Sequence, residues 1–157
     1  MSTKNKTIAK EFSWPVRVYY EDTDSGGVVY YANYLKFMER ARTEFLRVLG
    51  FQQDQLQQEL GIIFAVHSAN IQYIKPARFN DELNVITSIT SLGNASILFK
   101  QTAHLVSSHD NAHVNVIETV LAEADIKVAC LKAETFKPKS IPASIKEKIQ
   151  KEFHCGS

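Results

Sequence analysis

Two aspartates one residue apart, Asp22 and Asp24, stand just before a glycine pair, Gly26-Gly27. A long helical pattern begins a few residues later at Asn33-Tyr34. A carboxylate beside the amino end of a buried helix suits acyl transfer. The helix end offers backbone N–H donors and a partial positive charge where a carbonyl oxygen would become anionic. An aspartate of ordinary pKa, about 3.9, is ionised at neutral pH but is a weak base, and partial burial would strengthen it. Read locally, Asp24 is equally a turn aspartate that caps the loop ahead of a glycine. The spacing leaves both readings open. Asp22 and Asp24 together could hold a divalent cation, but no nucleotide-binding pattern surrounds them. A hydrogen bond within the loop is the expected role of Asp22. Gly26-Gly27 is too short a signal for a phosphate cradle. The pair is expected to supply positive φ and to let a substrate approach the backbone closely.

The elements that must position these residues follow from periodicity. Phe12 to Glu21 alternates, with Val16, Val18 and Tyr20 on one face, which predicts a half-buried strand. Asp22 to Ala32 is a loop, and Asn33 is a favourable N-cap. From Tyr34 to Leu49 the residues Tyr34, Phe37, Met38, Ala41, Phe45 and Leu49 form one apolar stripe at helical spacing, with Lys36, Arg40, Thr43 and Arg47 opposite. Arg40 with Glu44 and Glu39 with Arg42 are expected ion pairs. Gly50 ends the helix. A short polar helix over Gln52 to Glu59 stops at Gly61. Strands are then predicted over Ile62 to Ile74, Glu82 to Leu92, Ser96 to Val106 and Val114 to Leu131. The last of these has a bend expected near Ala122 to Asp125. Gly93-Asn94 is a hairpin turn and Ser107 to His113 a polar loop. A final helix covers Ile145 to Phe153. One long helix and about five strands joined by tight hairpins predict an α+β domain, an antiparallel sheet wrapped around a central helix.

Bulk properties narrow the class. The chain has 157 residues and a formal charge of +1. It is long enough for one domain with a real core, and no global basic field points to nucleic acid. The two cysteines, Cys130 and Cys155, lack a CxxC spacing and suit a reducing cytosol. No apolar run reaches the roughly 20 residues of a membrane span. The expected organisation is a polar leader over 1–11, a domain over 12–140, and a C-terminal helix and tail over 141–157. The expected location is the cytoplasm. Lys132, Lys137, Lys139, Lys146, Lys148 and Lys151 form either a solvated face or an attraction for phosphates, an anionic carrier or the inner membrane surface.

Several runs resemble a known family. Asp22-Thr23-Asp24, Gly27-Val28-Val29-Tyr30, Asn33-Tyr34 and Glu39-Arg40-Ala41-Arg42-Thr43-Glu44 are similar to the 4-hydroxybenzoyl-CoA thioesterase family of hotdog folds. The run from Trp14 to Asp24 resembles, more narrowly, its YbgC subfamily of Tol-Pal-associated acyl-CoA thioesterases. The likeness continues through Pro76-Ala77-Arg78, Asp81-Glu82-Leu83, Val128-Ala129-Cys130 and Lys137-Pro138. The resemblance implies a hotdog fold and dimers whose sheets join edge to edge, associating further into tetramers, with active sites at the subunit interface. It implies hydrolysis of acyl-CoA to a free acid and CoA, with neither metal nor cofactor. Asp24 would be the catalytic carboxylate, as nucleophile or general base. The backbone N–H of Tyr31 would polarise the thioester carbonyl; much of the subfamily has histidine there. Gly26, Gly27, Val28 and Tyr30 are the neighbouring candidate substrate contacts, and Ser96 a further one at the start of its strand.

Other residues have plainer readings. Tyr30 and Tyr34 suit core aromatics. His109 and His113 share a loop without further zinc ligands. His67 suits a structural histidine, and Cys130 a buried inert thiol. The rival to a thioesterase is a hotdog module that binds acyl-CoA or acyl carrier protein without turnover, since fold alone does not settle function. A dehydratase would need a catalytic Asp-His or Glu-His pair, and the sequence has none in a matching position.

Overall fold

A computed structural model describes residues 11–108 and 116–153. The leader, most of the polar loop with His109 and His113, and Cys155 lie outside the described residues. Five strands form one antiparallel sheet: β1 (Phe12–Arg17), β2 (Ile62–Tyr73), β3 (Glu82–Leu92), β4 (Ser96–Ser108) and β5 (Val116–Lys132). Helices α1 (Asn33–Val48), α2 (Gln53–Leu60) and α3 (Ala143–Glu152) complete the chain. The spatial order β1-β3-β4-β5-β2 puts β1 and β2 at opposite edges. The chain must therefore travel from one edge to the other between them, and α1 makes that crossing. Pro15 is tolerated in β1 because an edge strand needs ladder bonds on one side only.

The apolar stripe of α1 faces the sheet. Met38, Ala41 and Phe45 have no exposed surface and Phe37 has 1 %. They share one buried core with Leu83, Val85, Ile97, Phe99, Ala122 and Ile126 of the sheet. The ring of Phe45 meets Phe99 edge-on at 5.7 Å and Phe153 at 4.6 Å. The C-terminal helix therefore shares this core, through the buried Ile145 and Ile149. Positive φ at Gly50 and Gly61 ends α1 and α2 where the sequence expects. The result is the expected α+β hotdog: a sheet wrapped around one long helix. Among the described residues no helix is long and apolar enough to cross a membrane.

The structure departs from expectation in local chemistry. Strand β1 ends at Arg17, and Tyr20 turns outward in a short 3₁₀ turn, Tyr20–Asp22, stacked on Phe79 at 3.8 Å. Asn33 does not cap α1, because Ala32 occupies the cap position and the Asn33 side chain is used elsewhere. Glu44 pairs with Arg47 at 3.1 Å rather than with Arg40. Glu39 accepts from the Thr43 hydroxyl rather than pairing with Arg42. Arg42 instead lies on the buried side, where Nη1 donates to Gln101 Oε1 at 2.9 Å. In β5 the irregularity falls at Leu121, where the pairing jumps from Ala103–Ala122 to His104–Val120, and not over Ala122 to Asp125.

Truncation of the central contact tests this packing. Phe45→Ala is expected to lower unfolding free energy by about 3–5 kcal/mol in urea titration, with an unchanged m value.

Candidate active site

The site is built where β1 hands over to α1. After Val18, whose amide donates to the Asp81 carbonyl at 2.9 Å, the chain makes its 3₁₀ turn and buries Asp22. The Asp22 carboxylate accepts from the Tyr19 amide at 2.8 Å. Its carbonyl accepts from the Tyr30 amide at 2.9 Å and from Asn33 Nδ2 at 2.8 Å. One residue thus fastens the strand exit, the returning loop and the start of α1. This is the loop hydrogen bond expected of Asp22. Among the described residues no group of three or more His, Cys, Asp or Glu side chains could hold a metal ion.

Asp24 sits at the exposed tip of the same loop. Its amide donates to the Val28 carbonyl at 2.9 Å, and its carbonyl accepts from the Gly27 amide at 3.0 Å. Oδ1 accepts from the Gly26 amide at 2.8 Å. Oδ2 has no protein donor among the described residues. The turn-cap hydrogen bond therefore occupies one carboxylate oxygen and leaves the other without a protein donor among the described residues. The glycines do separate jobs. Gly27 alone has positive φ, at 82°. Gly26 is there for closeness, since a Cβ at its position would lie 3.2 Å from Asp24 Oδ1.

Val28 and Val29 carry the chain back. Val28 bridges to Arg78, and the Val29 amide donates to the Ala77 carbonyl at 2.8 Å. The entrance to α1 follows at once. The amides of Asn33, Tyr34 and Leu35 are taken by the carbonyls of Tyr30, Tyr31 and Ala32. The amides of Tyr31 and Ala32 find no acceptor among the described residues. These are the donors a helix amino end offers to an anion.

Beside this entrance lies a cavity of about 230 Å³, lined by Val29, Tyr31, Tyr34, Tyr73, Ile74, Lys75 and Pro76. Its walls are aromatic. The Tyr31 ring meets Tyr73 edge-on at 5.7 Å, and Tyr34 approaches Tyr73 at 5.7 Å. Tyr34 is buried, with its hydroxyl accepting from the Ala77 amide at 3.2 Å, and burial raises its pKa. Tyr31 and Tyr30 are exposed, their rings 4.8 Å apart. Tyr30 is therefore not the core aromatic its local pattern suggests. The sequence assigns Tyr73 no site role, and Ala77 only a place in the run Pro76-Ala77-Arg78. The signal for them is local: a predicted strand over Ile62 to Ile74 is closed by Lys75-Pro76.

The structure brings Asp24, Gly26, Gly27, Val28, Tyr30 and Tyr31 together. It does not bring Ser96. Ser96 pairs opposite Ala129, whereas Ala122, the partner of Tyr73, pairs opposite Ala103. That separation is roughly 23 Å along the strands. His67 is the exposed extra residue of a bulge in β2. Cys130 is fully buried, and burial raises its pKa, as an inert thiol requires. Of the basic tail, Lys132 and Lys139 share one open cavity of about 500 Å³ with the end of α2.

Comparison with known proteins adds an independent line. Residues 26–110 match the family model of the thioesterase superfamily. The acyl-CoA thioester hydrolase YbgC of Escherichia coli O6:H1 is 45% identical over 134 residues, covering 85% of this chain and 92% of that protein. A probable thioesterase from Bartonella henselae of known structure is 32% identical, with a TM-score of 0.73, covering 85% of this chain and 100% of that one. A mutant of 4-hydroxybenzoyl CoA thioesterase complexed with 4-hydroxybenzoyl CoA has a TM-score of 0.76 at 20% identity, covering 89% and 99%. That last likeness concerns the fold.

The two glycines should respond differently to the same substitution. Gly27→Ala forces a side chain into the left-handed region and is expected to cost about 1–2 kcal/mol in chemical denaturation. Gly26→Ala keeps an ordinary backbone, so its stability should change by less than about 0.5 kcal/mol while the Asp24 carboxylate is displaced.

Proposed function

Because this chain belongs to the thioesterase superfamily of hotdog folds, we propose that it hydrolyses acyl-CoA thioesters to a free carboxylic acid and CoA, with Asp24 as the reacting carboxylate. The observation that carries this reading is the Asp24 loop against the α1 entrance. One carboxylate oxygen is held by the Gly26 amide, and the amides of Tyr31 and Ala32 have no acceptor among the described residues.

The chemistry asks little more. A thioester carbonyl held at the Tyr31 amide gains stabilisation as its oxygen becomes anionic, since the donors are already in place. Asp24 supplies the base or the nucleophile. As general base it activates water; as nucleophile it forms a mixed anhydride that water then cleaves. The leaving thiol, with an ordinary pKa of about 8.5, departs as a thiolate without a strong acid. Tyr31 acts through its main chain, so its ring is free to shape the cavity shared with Tyr34 and Tyr73. Gly26, Gly27, Val28 and Tyr30 line the approach to Asp24.

The same reading includes assembly. Strand β2 is hydrogen-bonded along one side only, and its outer stretch exposes Val66 and Tyr73. A long unpaired edge of this kind favours pairing with another strand. A homodimer formed through two β2 edges would cover the exposed Tyr31 and Asp24 region, and a tetramer would be a further association. Acyl-CoA is the proposed substrate, acyl carrier protein a further candidate partner, and the cytoplasm the proposed location.

Thiol release from a panel of acyl-CoAs, short to long and aliphatic to aromatic, tests the activity. Wild type should turn over at least one member. Asp24→Ala and Asp24→Asn should each lower kcat by about 10²–10⁴-fold. Full activity in Asp24→Ala would remove the site assignment, and no turnover of any member by wild type would favour a non-catalytic acyl-binding module. A single turnover in ¹⁸O-labelled water tests the nucleophilic route: label entering Asp24 marks the anhydride and excludes a purely general-base reaction.

A further inference from the structure

Helix α1 carries a cation into the core that the proposed reaction does not use. Arg42 is 9 % exposed and lines a cavity of about 260 Å³ between α1, α2 and the sheet. Its Nη1 donates to Gln101 Oε1, and Gln101, itself fully buried, donates to the Met38 carbonyl at 3.0 Å and to Thr87 Oγ1 at 2.8 Å. This amide is fully engaged, so the guanidinium is held in one orientation. A guanidinium has five N–H donors, and Gln101 is its one acceptor among the described residues. No described carboxylate forms an ion pair with it. Glu39, one turn earlier and on the same cavity wall, acts on it through space, but its carboxylate accepts its own hydrogen bond from Thr43 and makes none with the guanidinium. The rest of the wall includes the apolar Phe64, Phe99 and Val128.

A desolvated cation is costly unless an anion pairs with it. A guanidinium fork matches the two oxygens of a carboxylate. We infer that this cavity binds an aliphatic carboxylate, with its oxygens on Arg42 and its hydrocarbon against Phe64, Phe99 and Val128. Within one chain the site is separate from the Asp24 loop, because Arg42 lies about 14 Å along α1 from Asn33. The carboxylate has two chemical sources: the far end of a dicarboxylic acyl chain, or a free carboxylic acid of the kind the hydrolysis releases. The first source rests on the thioesterase reading; carboxylate binding itself does not.

Calorimetric titration of the intact protein with hexanoate, adipate and hexan-1-ol tests the site. Wild type should bind the carboxylates at least tenfold more tightly than the alcohol, and Arg42→Gln should weaken that binding at least tenfold. Phe64→Ala, which removes part of the apolar wall and leaves the Arg42–Gln101 bond alone, should weaken it as well. Far-UV circular dichroism establishes that each variant is folded. Equal affinity for acid and alcohol, or unchanged binding in both folded variants, overturns the inference. Hydrolysis of adipoyl-CoA and hexanoyl-CoA then separates the sources. An at least tenfold fall in their kcat/KM ratio in Arg42→Gln assigns the carboxylate to the acyl chain; an unchanged ratio alongside hexanoate binding assigns it to the free acid. Carboxylate binding by a wild type that hydrolyses no member of the acyl-CoA panel leaves this inference standing and removes the thioesterase reading.

Discussion

Helix α1 must cross from one edge of the sheet to the other with an apolar side buried against it. That crossing fixes both ends of the functional geometry. Its amino end emerges at the loop that carries Asp24, and its middle buries Met38, Ala41 and Phe45 in one core with the inward residues of the sheet. A helix so held cannot slide or rotate without opening the core, because close-packed side chains admit few voids. The donors at its entrance therefore sit at a defined place relative to the glycine loop.

The loop is held just as firmly, by polar rather than apolar means. Buried Asp22 uses its carboxylate and its carbonyl to join Tyr19, Tyr30 and Asn33. Burying that carboxylate is tolerable because its hydrogen bonds are made inside the protein. The neighbouring Asp24 can then remain at the surface with one oxygen unengaged. Two aspartates of identical chemistry thus differ in setting: Asp22 is buried and fastens the loop, whereas Asp24 is exposed with one oxygen held by the Gly26 amide.

A second polar feature interrupts the apolar stripe. Arg42, Gln101 and Thr87 lie inside the core, linked by hydrogen bonds to each other and to the Met38 carbonyl. Periodicity was a poor guide here. Arg42 immediately follows the inward-facing Ala41, on the border of the stripe, and Glu39 stands close enough in sequence to suggest an ion pair. Only the facing strand supplies Gln101, a partner 59 residues away. The same limit applies to Asn33. Its type and position suit an N-cap, but the Asp22 carbonyl, brought near by the fold, claims its side chain instead.

Much of this protein was legible in its residues, for a physical reason. Strand β3 falls at its expected bounds, and α1 and α2 within one residue of theirs, because hydrophobic periodicity and glycine stops are local signals. The Asp24 loop was legible as well, since an aspartate, two glycines and a helix start are contiguous and its hydrogen bonds are short-range. What required tertiary structure was everything depending on strand order. The pairing β1-β3-β4-β5-β2 removed Ser96 from the Asp24 loop and brought Tyr73, Pro76 and Ala77 to the α1 entrance beside it. It also set Arg42 against Gln101 at the wall of a cavity. Side-chain type and spacing along one chain cannot specify which distant backbone will lie opposite. That choice belongs to the sheet register, which settles only when all five strands share one core.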